Sequence, residues 1–467
     1  METTQQPLRV EITAHREFLA SDTAGQKLFI MLKLRPTHEI AQTRPPTAVS
    51  LLIDTSGSMY EVVTGNPQPT GNVISVDGNQ YREVQGGKTK IDMVIESLHH
   101  LIDSGRLDHN DKLCLIQFDD QASTLIGLTP ATETQPLKQA IERLKQFSGG
   151  TCMGRGMEQA LNILSSQPMT SKRALIFTDG QTFDELECQQ LANQFALNGI
   201  PITALGVGEY NEDLLVNLSD TTAGRVYHVV AEKATGLQVA IENLPQTIFE
   251  EYLQAQQEVI NNLAINVKTV KGVKLTRITK VYPEQAEIPL KQQPYHVGSA
   301  MGRDDTIFIL EFDVDSRASS KVRVAQIGLT YDIPAQNRRG ELPPQNVVVQ
   351  FLAGQGASVA TDQEVMGYVQ QRNIAQLIDD ATQIADQNPD LAEQKIETAR
   401  RLTVKIGNQD MLNSLNESIE ELRKTRKISA GTRKTVKMGS KSKTVKMSTS
   451  ELNEGSSDEQ IRQITGT

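Results

Sequence analysis

Apolar and polar positions alternate at Leu8, Val10 and Ile12, and again at Leu28, Ile30, Leu32 and Leu34, the period of two that predicts half-buried strands. Residues 49–53 are apolar almost throughout, as a strand covered on both faces should be. The period then changes. Ile91, Val94, Ile95, Leu98 and Leu101 recur at helical spacing, and from there strands (113–118, 123–128, 174–178, 202–207, 225–229) alternate with helices (136–147, 154–165, 184–196, 211–218, 236–251). Such alternation predicts a doubly wound α/β domain, a parallel sheet with helices on both faces. Beyond Leu263 the pattern is strands only, at 264–270, 273–278, 306–313, 322–330 and 347–351. Two N-terminal strands cannot build a core of their own. Joined to these five they predict a β-sandwich into which the α/β domain is inserted. Three amphipathic helices follow at 365–386, 389–406 and 409–424, with Asn388-Pro389 as a cap and first-turn pair. The predicted domains are 1–46 (the sandwich's first strands), 47–252, 253–355 (the rest of the sandwich), 361–425 (helical) and 426–467 (a disordered basic tail).

The chemistry gathers where strands of the α/β domain end. Residues 51–59 read Leu-Leu-Ile-Asp-Thr-Ser-Gly-Ser-Met, and in extended backbone Asp54, Ser56 and Ser58 point the same way. One carboxylate and two hydroxyls suit a hard cation such as Mg2+, although an N-cap would use the same residues. Two more oxygen sources are Thr151, in Ser148-Gly149-Gly150-Thr151, and Asp179, which ends the run Arg173-Ala-Leu-Ile-Phe-Thr-Asp-Gly180. In a parallel sheet, ligands collect outside the carboxyl ends of the strands, where all three segments would finish.

With these three segments in this order, the chain resembles the von Willebrand factor A domain and its metal-ion-dependent adhesion site. The resemblance implies a bound Mg2+, or Mn2+ or Ca2+. Ser56, Ser58 and Thr151 would ligate it, Asp54 and Asp179 would hold it partly through water, and one position would stay open for an exposed Asp or Glu of a protein partner. Some bacterial members of the family also carry the domain inserted in a β-sandwich. In the family the metal loop runs almost directly into its helix, whereas here residues 60–87 intervene, with a hairpin expected about Asp77-Gly78. A lip that shapes partner access is one reading of this segment, and a tolerated surface insertion is the other.

Composition narrows the setting. Three cysteines with no ligand spacing, a polar N-terminus and no long apolar run predict a cytoplasmic protein without disulfides or a membrane span. The formal net charge is −10, yet residues 423–450 carry ten Lys or Arg and no acid, so charge is segregated into an acidic body and a basic tail. Within that tail Lys434-Thr-Val-Lys-Met438 recurs as Lys443-Thr-Val-Lys-Met447. The strings resemble substrates of bacterial Ser/Thr kinases and ligands of forkhead-associated domains, making Thr432, Thr435 and Thr444 candidate phosphorylation sites. Nonspecific polyanion contact and a plain solubilising tail are the alternatives. No aromatic residue interleaves the basic ones, which disfavours specific nucleic-acid binding.

No Ser, Cys and His cluster reads as nucleophile and base, and no glycine-rich turn matches a phosphate-cradling loop, so the chain is expected not to be an enzyme. The expected function is a metal-dependent protein-binding scaffold. An adaptor subunit of an ATP-driven AAA+ assembly of the chelatase or moxR kind is the alternative.

Overall fold

The computed structural model describes residues 6–447 except 77–78, 232–233 and 354–360. The chain divides into two compact units, one of residues 44–259 with 334–337 and one of residues 1–43, 260–333 and 338–467.

The first of these is built on a seven-stranded sheet, ordered Ala122–Pro130, Lys112–Phe118, Thr47–Asp54, Ser171–Thr178, Ile202–Val207, Arg225–Val230, Val239–Ala240. All neighbours are parallel except the antiparallel edge pair of Ala122–Pro130 with Lys112–Phe118. Every residue of Thr47–Asp54 is buried, which is why its sequence is apolar without alternation. Helix Lys90–Asp103 starts at a capping box in which Thr89 and Asp92 exchange hydrogen bonds. Its Ile91, Val94, Leu98 and Leu101 pack into the same core as Leu51 and Ile53. The helix expected at 236–251 begins later, at Leu244–Gln257. Val239–Ala240 instead adds an edge strand, because Pro245 favours a first helical turn and the preceding backbone remains extended. The inserted segment forms strand Val62–Thr64, paired with Lys88–Thr89, and a hairpin of Gln68–Val76 with Asn79–Gln85. The turn expected at Asp77-Gly78 lies outside the described residues.

In the other unit the N-terminal strands pair with distant ones. Gln26–Pro36 lies antiparallel to Thr306–Val314, and Phe18–Ala20 lies parallel to Arg338–Leu352. Two five-stranded sheets result, Leu8–Ala14, Gln26–Pro36, Thr306–Val314, Val273–Tyr282, Ala286–Ile288 and Tyr295–Met301, Glu258–Thr269, Ser320–Ile333, Arg338–Leu352, Phe18–Ala20. Helices Gln363–Ile384, Pro389–Ile406 and Gln409–Thr425 follow. The first is tied to the sheets by Arg372, whose guanidinium donates to Glu311 at 2.6 Å, while Lys27 binds the same carboxylate at 2.8 Å. Burial alone would raise the Glu311 carboxyl, but Arg372 and Lys27 outweigh it and hold it below the ordinary range.

The basic tail departs from expectation over residues 426–447. Ala430–Ser442 is a fourth helix, capped by the Ser429 side chain on Thr432 N. It buries Val436 and Met438, and Met447 is buried beyond it. Thr435 is 5% exposed and its hydroxyl bonds Gly431 O. Thr444 donates to Pro283 O, Val445 N to Gln371 Oε1 at 2.7 Å, and Met447 N to the Tyr368 hydroxyl at 3.2 Å. A segment too poor in apolar residues to fold by itself is thus held by surface that other elements supply, burial of each methionine being worth about 1.5–3 kcal/mol. Residues 448–467 of the expected tail lie outside the described residues.

Candidate metal centre

Strand Thr47–Asp54 delivers Asp54 to the carboxyl end of the sheet, and the chain then tightens into a one-turn 3-10 helix, Gly57–Tyr60. Asp54, fully buried, accepts from Ser56 N at 2.8 Å through Oδ1 and from the Thr178 hydroxyl at 2.7 Å through Oδ2. The Ser56 and Ser58 hydroxyls are 3.2 Å apart, and Ser58 donates to Asp179 Oδ1 at 2.7 Å. Thr151 joins this group. A Cβ placed on Gly180 would lie 3.4 Å from Thr151 Oγ1 and 3.9 Å from Ser58 Oγ, so both hydroxyls face one spot. All five residues singled out from the sequence therefore share one end of the sheet.

The loop bearing Thr151 is fixed on both sides. Gly57 N donates to Gly149 O at 3.0 Å, and Cys152 N to Asp119 O at 2.8 Å. A Cβ added at Gly149 or Gly150 would lie 2.8 or 2.6 Å from the exposed Asp120 carboxylate, which would have to move aside for a larger residue. On the other side Phe183 N donates to Thr151 O at 2.9 Å. Here Phe183 and Leu186 stand 80% and 76% exposed, which no packing need of the domain explains. A cavity of about 650 Å³ opens between the insertion and residues 145–148, its lining including Gly57, Tyr60, Val62, Val84, Phe147 and Ser148.

Among the described residues no three His, Cys, Asp or Glu side chains gather as metal ligands. The donors here are two carboxylates and three hydroxyls, the hard oxygen set that Mg2+ or Mn2+ accepts while keeping waters. Burial, and then the nearby Asp179, push the Asp54 carboxyl up to about 7. Two carboxylates drawn together out of water in this way suit a cation, which would favour their charged forms.

One residue of the site had no place in the sequence reading. Lys90 Nζ lies 2.8 Å from Asp179 Oδ2, 2.6 Å from Glu61 Oε2 and 3.4 Å from Ser58 O. Burial would lower its pKa, but Asp179 and Glu61 outweigh that and raise it, keeping the ammonium charged. A lysine in the first turn opposes the helix dipole, and here Asp179 and Glu61 offset that cost.

Residues 49–181 match the family model of the von Willebrand factor type A domain. Residues 363–446 match that of the Sll0103-like, C-terminal alpha-helical domain, a span that includes most of the folded part of the basic tail. The uncharacterized protein sll0103 of Synechocystis sp. is 22% identical over 354 residues, which cover 72% of this chain and 80% of that one. Among solved structures, a von Willebrand factor type A protein from Catenulispora acidiphila aligns over 96% of this chain and 99% of its own, with a TM-score of 0.74 and 18% identity. The ArnB paralog VWA2 from Sulfolobus acidocaldarius aligns over 94% of this chain and 100% of its own, with a TM-score of 0.60 and 13% identity. At such identities the likeness is one of fold.

Proposed function

We propose that this chain, which carries a von Willebrand factor type A domain at residues 49–181 and a C-terminal helical domain, is a divalent-metal-dependent protein-binding scaffold rather than an enzyme. The observation that carries this reading is the convergence of the Ser56, Ser58 and Thr151 hydroxyls beside the buried Asp54 and Asp179 carboxylates. Ser56, Ser58 and Thr151 would hold Mg2+ or Mn2+ directly. Asp54 and Asp179 would act from behind them, oriented by Thr178, Ser56 N and Ser58. The metal supplies an electrophilic centre with an exchangeable position, and a partner's Asp or Glu is the ligand that fits it.

The surroundings support a macromolecular partner over a small ligand. Phe183 and Leu186 stand exposed beside the loop, and the largely apolar cavity at the insertion has Gly57 and Ser148 in its wall. We read the second unit's two sheets as a β-sandwich into which the metal-binding domain is inserted, and the chain as cytoplasmic, where its free cysteines Cys114, Cys152 and Cys188 would stay reduced. No helix among the described residues is long and apolar enough to cross a membrane. Kinase and forkhead-associated partners would first require Thr435 and Thr444 to leave the contacts that hold them, whereas Thr432 sits half-buried in the first turn of its helix.

Calorimetric titration of the full chain with Mg2+ and Mn2+ tests the reading. Saturable binding at one site, lost in Ser56→Ala/Ser58→Ala while the fold is kept, is expected. Binding that this double variant leaves unchanged would remove the metal from this site.

A further inference from the structure

We propose that Lys90 is an internal counter-charge that leaves the metal centre one negative charge short, so that the cation is held firmly only together with a carboxylate from outside. This inference rests on the metal-binding reading above.

Lys90 is almost fully buried, and helix Lys90–Asp103 places it rigidly, since the capping box at Thr89 and Asp92 and the buried Ile91 next to it fix the first turn. An ammonium out of water needs paired charge, and its buried partner is Asp179. The second partner, Glu61, is 63% exposed, so solvent and salt screen it and its charge offsets Lys90 weakly. The charges kept from water within the group formed by Asp54, Asp179 and Lys90 are therefore two carboxylates and one ammonium; Asp119, also buried, packs behind Gly149, where its carboxylate accepts from Gln121 N at 2.8 Å. A divalent cation added to that set leaves one positive charge in excess, in surroundings where charges interact more strongly than in bulk water. An incoming Asp or Glu removes the excess. If Lys90 were neutral, Asp54 and Asp179 would balance the cation by themselves, and nothing electrostatic would call for an outside anion.

Lys90 also orients Asp179. One carboxylate oxygen accepts from Ser58 and the other from Lys90, so the acid is turned by the lysine as well as by the serine. Glu61 belongs to the wall of the cavity beside the site, which puts the lysine's exposed partner where a docked segment would pass.

The test is Mn2+ titration of the full chain followed by calorimetry, in potassium chloride and in potassium acetate at equal ionic strength, acetate standing for the outside carboxylate. Wild type should bind Mn2+ weakly in chloride and more tightly in acetate. Lys90→Met should bind about tenfold more tightly in chloride, with little gain from acetate, and Lys90→Arg should behave as wild type. Glu61→Gln changes an exposed residue and serves if Lys90→Met does not fold. It leaves the lysine's charge undivided on Asp179 and should weaken Mn2+ binding two- to threefold, by about 0.5 kcal/mol. Equal or weaker Mn2+ binding by a folded Lys90→Met, equal or tighter binding by Glu61→Gln, or an acetate effect that survives Lys90→Met would overturn the role of Lys90 while leaving the metal site standing. Mn2+ binding that Ser56→Ala/Ser58→Ala does not reduce would overturn both.

Discussion

Strand Ser171–Thr178 has a buried charge cluster at each end, and the two are built differently. Toward its start, Arg173 pairs with Glu251 and Glu258, and Arg225 pairs with Glu251 at 3.0 Å, with the Thr203 and Tyr227 hydroxyls donating to Glu251 at 2.7 and 2.8 Å. Two guanidinium groups meet two carboxylates in these pairs, so their charges match and the cluster is closed to solvent, with Arg173 Nε left without a hydrogen-bond partner. Just past the strand's end, the one buried ammonium, Lys90, pairs with Asp179, and among the described residues no cation pairs with Asp54, while the Thr151 and Ser58 hydroxyls turn toward the space at Gly180. Burial alone would raise the Glu251 carboxyl, but Arg225 and Arg173 outweigh it and hold it low, whereas burial and Asp179 push Asp54 up. A buried cluster matched in charge braces the fold, while an unmatched one is a candidate site for a ligand.

The largest effect should come from breaking the closed end. Arg173→Met leaves Glu251 and Glu258 short of a partner and should cost about 3–5 kcal/mol in urea unfolding. A loss below about 1 kcal/mol would mean that the cluster is not the brace described. At the open end, Mg2+ in hundredfold excess over its dissociation constant should stabilise the α/β unit by about 2.7 kcal/mol. A melting shift reversed by EDTA and missing in Ser56→Ala/Ser58→Ala is the readout.

Acid should separate the ends further. Glu251 has a folded-state pKa below its ordinary 4.5. Its contribution is therefore complete above that value and is lost as pH falls through the folded-state pKa. Melting temperatures of wild type and Glu251→Gln should differ most near neutrality and converge as pH drops below about 4.5. A gap that is constant with pH would assign the effect to packing instead of charge. The smallest effect belongs to the exposed rim. Leu186→Ser should change stability by less than about 0.5 kcal/mol while reducing metal-dependent capture of a partner, and undiminished capture would take Leu186 out of the interface.

Much of the open end was legible in the sequence because Asp54 and Asp179 follow apolar strands and Thr151 lies in a glycine-rich loop just before a helix. A strand states its own direction and length through its apolar run, and a loop that opens the next helix in an α/β alternation lies at the same end, so Asp54, Ser56, Ser58, Thr151 and Asp179 could be assigned to one end of the sheet before their distances were known. Lys90 was not legible in the same way. Its meaning depends on Asp179, 89 positions away, and on a helix that the 60–87 insertion separates from the Asp54–Ser58 loop. The closed end was missed for the same reason, since Arg173, Arg225, Glu251 and Glu258 are joined by sheet order and by helix Leu244–Gln257.

The repeated string Lys-Thr-Val-Lys-Met marks the boundary between the two kinds of information. At 434–438 it is helical, with all five residues buried, and at 443–447 it follows the helix without regular structure. Its second lysine pairs with Asp379 in the first copy and with Asp304 and Asp305 in the second. Five identical residues cannot choose between these outcomes. The sequence by itself determined the strand and helix periods, the order of the elements and the oxygen donors of the candidate metal centre, because periodicity and strand ends are local properties. Only the tertiary structure decided that the tail folds, that Lys90 faces Asp179 and that one charge cluster is closed while the other is open, because burial and charge balance depend on surfaces supplied by residues far away in the chain.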